Sequence, residues 1–141
     1  MRAAVLRRVM NLWPPFLFTG IRVTRLDDDW RAADVELRLG LLNRNWVGVH
    51  FGGSLFAMTD PFYMLLLLHL LGPDYVVWDK AATIDYVRPG RGRVTARFRV
   101  DDARLDEIRA ATADGAAHRP VFPVEIVDEG GEVVEIGRAH V

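Results

Sequence analysis

The hydrophobic and polar positions of this chain change period along its length. Ile21 to Leu26 and Ala33 to Leu39 read as two strands, the second setting Val35, Leu37 and Leu39 against Asp34, Glu36 and Arg38, with Asp27-Asp28-Asp29 as the turn between them. From Ser54 to Leu71 the alternation disappears: almost every position is apolar, and His69 is the only strongly polar side chain after Phe62. A helix that is apolar all round belongs inside a fold. Strand-like patterning then returns. Val76 to Val87 is long and β-rich, Val94 to Val100 alternates cleanly, and Arg88-Pro89-Gly90 joins them as a turn. A short polar helix is expected around Ala103 to Ala113. The last elements form a hairpin, Val121 to Val127 and Val133 to Ala139, across Asp128-Glu129-Gly130-Gly131. Wrapping a curved antiparallel sheet around the single apolar helix is the economical way to bury it, so the expected class is α+β.

Met1 to Trp13 adds an N-terminal helix, with Arg2, Arg7 and Arg8 on one side and Leu6, Val9, Met10 and Trp13 on another, ending at Pro14-Pro15. Arg7-Arg8 interrupts the only candidate apolar core of a secretory signal, so this segment is read as a helix packing on the domain rather than a leader or membrane-surface anchor. Ser54 to Leu71 contains Asp60 and Pro61, is closed by Gly72-Pro73, and falls short of the roughly 20 apolar residues of a bilayer span. The expectation is a cytoplasmic protein without membrane partners.

Composition narrows the picture. The 141 residues suit one domain spanning 1–141, half of them are apolar, and the net charge of −1 gives no basis for a nucleic-acid scaffold. With no cysteine, disulfides, thiolate metal sites and cysteine nucleophiles are excluded. His69, His118 and His140 show no metal-ligand spacing with acids, and no cofactor is expected. The basic charge is almost entirely arginine, Lys80 being the one lysine.

Candidate chemistry concentrates in Asn45-Trp46-Val47-Gly48-Val49-His50-Phe51-Gly52-Gly53, followed seven residues later by Asp60. A glycine at a helix start leaves backbone N–H groups without helical partners and no side chain to block approach, so Gly53 N–H is a candidate oxyanion donor, with Gly52 beside it. Asp60, set among apolar residues such as Phe56, Phe62 and Leu65, is a candidate base or nucleophile with a raised pKa. It has a second reading: Asp before Pro is a good helix start, with Asp60 as N-cap and Pro61 in the first turn. Asn45 would orient water or carbonyl, or else bond its own loop.

The element order and this motif resemble the hot-dog thioesterase superfamily over nearly the whole chain. The nearest resemblance is to small bacterial thioesterase-like proteins of unknown function; a more distant one is to the phenylacetate-pathway acyl-CoA thioesterases. Asn45, Gly48, Gly52, Gly53 and Asp60 match the pattern of the latter. Phe51 occupies the pattern's histidine slot and His50 comes one residue early, which in extended backbone reverses the side-chain direction. The resemblance implies a hot-dog fold with an extra N-terminal helix, a homodimer or homotetramer with Asp60 of one chain acting beside Asn45 and the glycine turn of another, and hydrolysis of an acyl-CoA. Catalytic candidates are therefore Asp60, Gly53, Asn45 and His50. A non-catalytic acyl-CoA-binding module is the alternative, and an acyl-thioester hydratase or dehydratase a further one.

Substrate contacts are expected from Gly52, Phe51, Arg88, Arg91 and Lys80. Arg91, Arg93, Arg97 and Arg99 share one face of a strand whose other face is Val94, Ala96, Phe98 and Val100. That face is either solvated or a cationic rim for coenzyme A phosphates, with Arg88 and Arg91 flanking the turn. Lys80 either pairs with Asp60 or extends to solvent at a strand end.

Overall fold

The computed structural model describes all of residues 1–141. Six strands form one sheet: β1 (Ile21–Leu26), β2 (Ala32–Arg38), β3 (Ala81–Tyr86), β4 (Arg93–Arg99), β5 (Val121–Val127) and β6 (Val133–His140). Their spatial order is β1-β2-β4-β5-β6-β3 and every neighbouring pair is antiparallel. The inward faces of the strands supply Val23, Val35, Leu37, Ala96, Phe98 and Ile126, all fully buried.

Against them lies the central apolar segment, in two pieces: α3 (Gly52–Ala57) and α4 (Phe62–Leu71). Gly52–Leu71 is long and apolar enough to cross a membrane by composition, yet here it is the core helix of the fold. The helix predicted from Ser54 starts two residues earlier and is interrupted by turns at residues 58–61. Pro61 has no N–H to return to the Ala57 carbonyl, so the ladder cannot run through. Phe62 and Leu66 are fully buried, and Phe62 stacks between Phe16 and Phe98. Burial is not uniform, however, since Leu68 and His69 face solvent.

At the N-terminus, α1 (Ala3–Leu12) and α2 (Pro14–Leu17) pack on β1. Ala3 and Met10 point inward, while Val5, Val9 and Leu12 stay exposed. Asn11 reaches the free edge of β1 and bonds both backbone groups of Val23, accepting from its N–H at 2.7 Å and donating to its carbonyl at 3.0 Å. Between β4 and β5 runs α5 (Asp102–Thr112), capped by the Asp101 carboxylate accepting from Arg104 N–H.

The strand predicted from Val76 to Val87 is shorter than expected. Residues 76–80 approach β6 only through Lys80 N–H, which donates to the His140 carbonyl, and regular pairing begins at Ala81. As a result β3 is an edge strand, paired with β6 on one side and exposed along most of its length.

Candidate active site

The glycine turn is built by aromatic packing. Phe51 caps α3 with its carbonyl, which accepts from both Ser54 and Leu55 N–H; the N–H groups of Gly52 and Gly53 carry no intramolecular bond. Neither glycine has a positive φ. Their requirement is space: a Cβ at Gly52 would lie 2.8 Å from the Tyr86 hydroxyl, and one at Gly53 would lie 2.6 Å from the Phe51 ring. Two rings thus bracket the pair of unbonded N–H groups. Asn45, Phe51, Gly53, Ser54 and Ala57 line one open concavity of about 500 Å³ together with Phe18.

Asn45 organises its own loop. Its Oδ1 accepts from Val47 and Val49 N–H at 3.1 Å each, so the side-chain oxygen is committed and only its NH₂ group remains to face the concavity. His50 is also committed. It is buried, its Nε2 is 2.8 Å from the Gly92 carbonyl, and its backbone N–H donates to Gly90. Burial holds its pKa below the ordinary histidine value, so the neutral ring donates Nε2–H. The ring is clamped on the 90–92 loop and, one residue before Phe51, does not line the open concavity that Phe51 occupies.

Asp60 sits in the turn between α3 and α4. It does not cap α4, whose N-cap position is Pro61 and receives no side-chain bond. Nor is it enclosed by Phe62 and Leu65: the carboxylate is exposed on the single chain and lies with Phe56, Asp79 and Glu135 along a narrow cleft against β3 and β6. Partial desolvation still pushes its pKa up, as the sequence suggested. Lys80 does not pair with it and forms no ion pair at all; its neighbour Asp79 approaches instead. Asp79 is pushed up to about 6, first by burial and then by the Asp60 charge.

Of the arginines, Arg88 pairs with Glu132 at 3.2 Å and Arg99 with Asp34 at 2.7 Å, while Arg91 has no acidic partner. No group of three His, Asp or Glu side chains has a metal-holding arrangement.

Sequence reasoning missed three residues here. Tyr86 fixes the glycine turn, and only the β-strand parity it shares with Ile84 could have placed it on the helix side. Asp79 was passed over for Lys80, although adjacent strand residues face opposite ways. Glu135 is 1% exposed with both carboxyl oxygens unpartnered. Its signal was an acid in register with Gly137 and Ala139 on the inward face.

Within one chain, then, the glycine turn and Asp60 line different concavities. Seven residues of roughly helical rise separate Gly53 from Asp60 by about 10 Å.

The model of the domain of unknown function DUF4442 matches residues 1–141. The chain belongs to that family. No curated protein matches the sequence. Among solved structures, a Pseudomonas aeruginosa protein of unknown function, described as a "probable thioesterase", superposes with a TM-score of 0.83 at 19% identity, over 99% of this chain and 93% of its own. A Haemophilus influenzae thioesterase gives 0.72 at 15% identity over 99% and 88%. The phenylacetic acid degradation protein PaaI of Thermus thermophilus gives 0.63 at 25% identity over 90% and 96%. This DUF4442 member therefore has the hot-dog thioesterase fold, the architecture expected from its element order and glycine motif.

Proposed function

We propose that the protein hydrolyses acyl thioesters, acyl-CoA in particular, at a site completed by a second copy of the chain. What supports this reading most is the state of Asp60: uncapped, unpaired, with a raised pKa, and open to a cleft beside an exposed edge strand. A binding module would tolerate that carboxylate tied to a helix terminus, and it is not.

The geometry of β3 supports the shared site. Tyr86, at one end of β3, touches Gly52; Asp79, just before the other end, lies beside Asp60. Antiparallel self-pairing of two β3 edges about a two-fold sets the Tyr86 end of one chain against the Asp79 end of the other. Gly53 of one protomer then faces Asp60 of its partner, which the separation of about 10 Å within one chain does not permit.

In this arrangement the Gly52 and Gly53 N–H groups receive the thioester carbonyl, and the Asn45 NH₂ group steadies it. Asp60 takes a proton from water as the water oxygen attacks the carbonyl carbon. The oxyanion of the tetrahedral intermediate is held by the N–H groups, where loss of one donor costs about 10² to 10³ in rate. Collapse expels the thiolate, which recovers the proton from Asp60. The raised pKa of Asp60 strengthens it as a base. Arg91, free of acidic partners, and Arg88 supply phosphate contacts, and His50 serves by holding the 90–92 loop that carries Arg91.

Free-thiol release from short, medium, long and aryl acyl-CoAs, comparing wild type with Asp60→Asn, tests this. Turnover by wild type that falls at least about 10²-fold in the variant, with fold and oligomer unchanged, is the expected result. Acyl-CoA binding without turnover by wild type on any substrate sinks the catalytic reading and leaves the binding module.

A further inference from the structure

A second sizeable cavity lies apart from the candidate active site. It lies at the far end of the central helix, between the C-terminal half of α4, the segment 74–80, the end of α5 and the loop 113–120, and is a half-open space of about 610 Å³. That is within the range of small-molecule sites. It shares no residue with the cleft of Asp60.

Its floor is apolar, formed by Leu67, Leu71, Val77, Ile108 and Val141. Its outer wall is a loop whose side chains are too small to fill the space, among them Ala113, Ala116 and Ala117. The polar tips of Tyr75 and Thr112 satisfy each other at 3.1 Å and ask nothing of a ligand.

The charges on the lining are different. Lys80 and Arg119 both border the cavity and neither forms an ion pair, whereas His118, also on the lining, lies 3.5 Å from the Glu107 carboxylate. Asp74 is the one carboxylate on the lining. Apart from the His118–Glu107 pair, Lys80 and Arg119 against Asp74 leave a local charge of plus one, which matches a monoanion better than a phosphate dianion. Arginine and lysine together suit a carboxylate, which accepts charge-assisted bonds from both.

We propose that this cavity binds a monocarboxylate with an apolar body, such as a medium-chain fatty acid, its chain between α4 and α5 and its carboxylate on Lys80 and Arg119. The inference is independent of the hydrolytic reading, since it needs neither Asp60 nor the glycine turn.

Isothermal titration of the full-length protein with decanoate, 1-decanol and decyl phosphate tests it. Three variants separate the contributions: Arg119→Met removes the charge at similar length, and Ala116→Trp and Ala117→Trp fill the void from an exposed loop. Wild type is expected to bind decanoate at sub-millimolar concentration. Arg119→Met should weaken decanoate at least about tenfold while leaving decanol unchanged, and whichever tryptophan variant keeps the wild-type melting profile should bind neither. No decanoate binding by wild type overturns the proposal, as does undiminished binding by a folded tryptophan variant. Equal loss of decanoate and decanol in Arg119→Met refutes the carboxylate contact, and a clear preference for decyl phosphate over decanoate refutes the assignment to a monocarboxylate.

Discussion

Glu135 sits on β6 opposite Tyr86 and Ile126, walled in by the sheet and the central helix, with no hydrogen-bond partner for either oxygen. Burial alone pushes its pKa from 4.5 up to about 8, so the folded protein holds it neutral at neutral pH. Below pH 4.5 the folded and unfolded chains both keep this proton, and Glu135 adds no ionisation penalty. As pH rises towards 8 the unfolded chain releases the proton while the folded one retains it, so stability falls by about 1.4 kcal/mol per pH unit across that window, a few kcal/mol in total. Glu135→Gln removes the titration. Melting temperatures of the two proteins should be similar near pH 4.5 and separate in favour of the variant towards pH 8; a gap that stays constant with pH would rule out the ionisation as its cause. At this scale the sequence was partly legible. Asp60 and Gly53 could be singled out from spacing because an acid inside an apolar run and a glycine at a helix start are local features. Asp79 and Glu135 could not, because what perturbs them is burial by β3, β6 and the helix, which no local pattern contains.

Among the elements, the strands that alternate cleanly were found within a residue or two, since one face of each is buried and the other solvated. The boundaries that failed have physical causes. The central helix breaks because Pro61 withholds a donor, a consequence readable in sequence, but whether Asp60 would cap the new helix depended on the turn geometry. The β3 strand shortens as Val76, Val77, Trp78 and Lys80 line the cavity beside α5, leaving Lys80 N–H as the one backbone bond of this segment to β6. No sequence signal announced Asn11, whose amide stands in for a strand by bonding both the N–H and the carbonyl of Val23. An open edge strand invites wrong pairing, and here a helix side chain covers part of it. Replacing Asn11 with Ala strips two hydrogen bonds from a buried backbone position and should cost about 1–3 kcal/mol, read as a lower denaturant midpoint with unchanged slope. A loss below about 0.5 kcal/mol would show that α1 is held by its apolar face alone.

For the molecule as a whole, the fold follows from one apolar helix needing a sheet around it, yet an isolated chain leaves β3 uncovered and divides the candidate machinery between two concavities. If two chains share each site, defects in different components complement one another. Asp60→Asn removes the base, and Gly53→Ala sets a Cβ 2.6 Å from the Phe51 ring, which displaces the oxyanion donor. Each variant alone is expected to be inactive. In a mixed dimer, one site combines the intact Gly53 of one protomer with the intact Asp60 of the other, and the second site carries both defects. Random exchange of equal amounts makes half the dimers mixed, so the mixture should recover about a quarter of wild-type thiol release. Sites contained within single chains would recover nothing, since every chain in the mixture lacks one component. The measurement therefore separates a shared site from an internal one without a structure of the assembly, and mixing before and after unfolding and refolding shows whether subunit exchange limits the recovery.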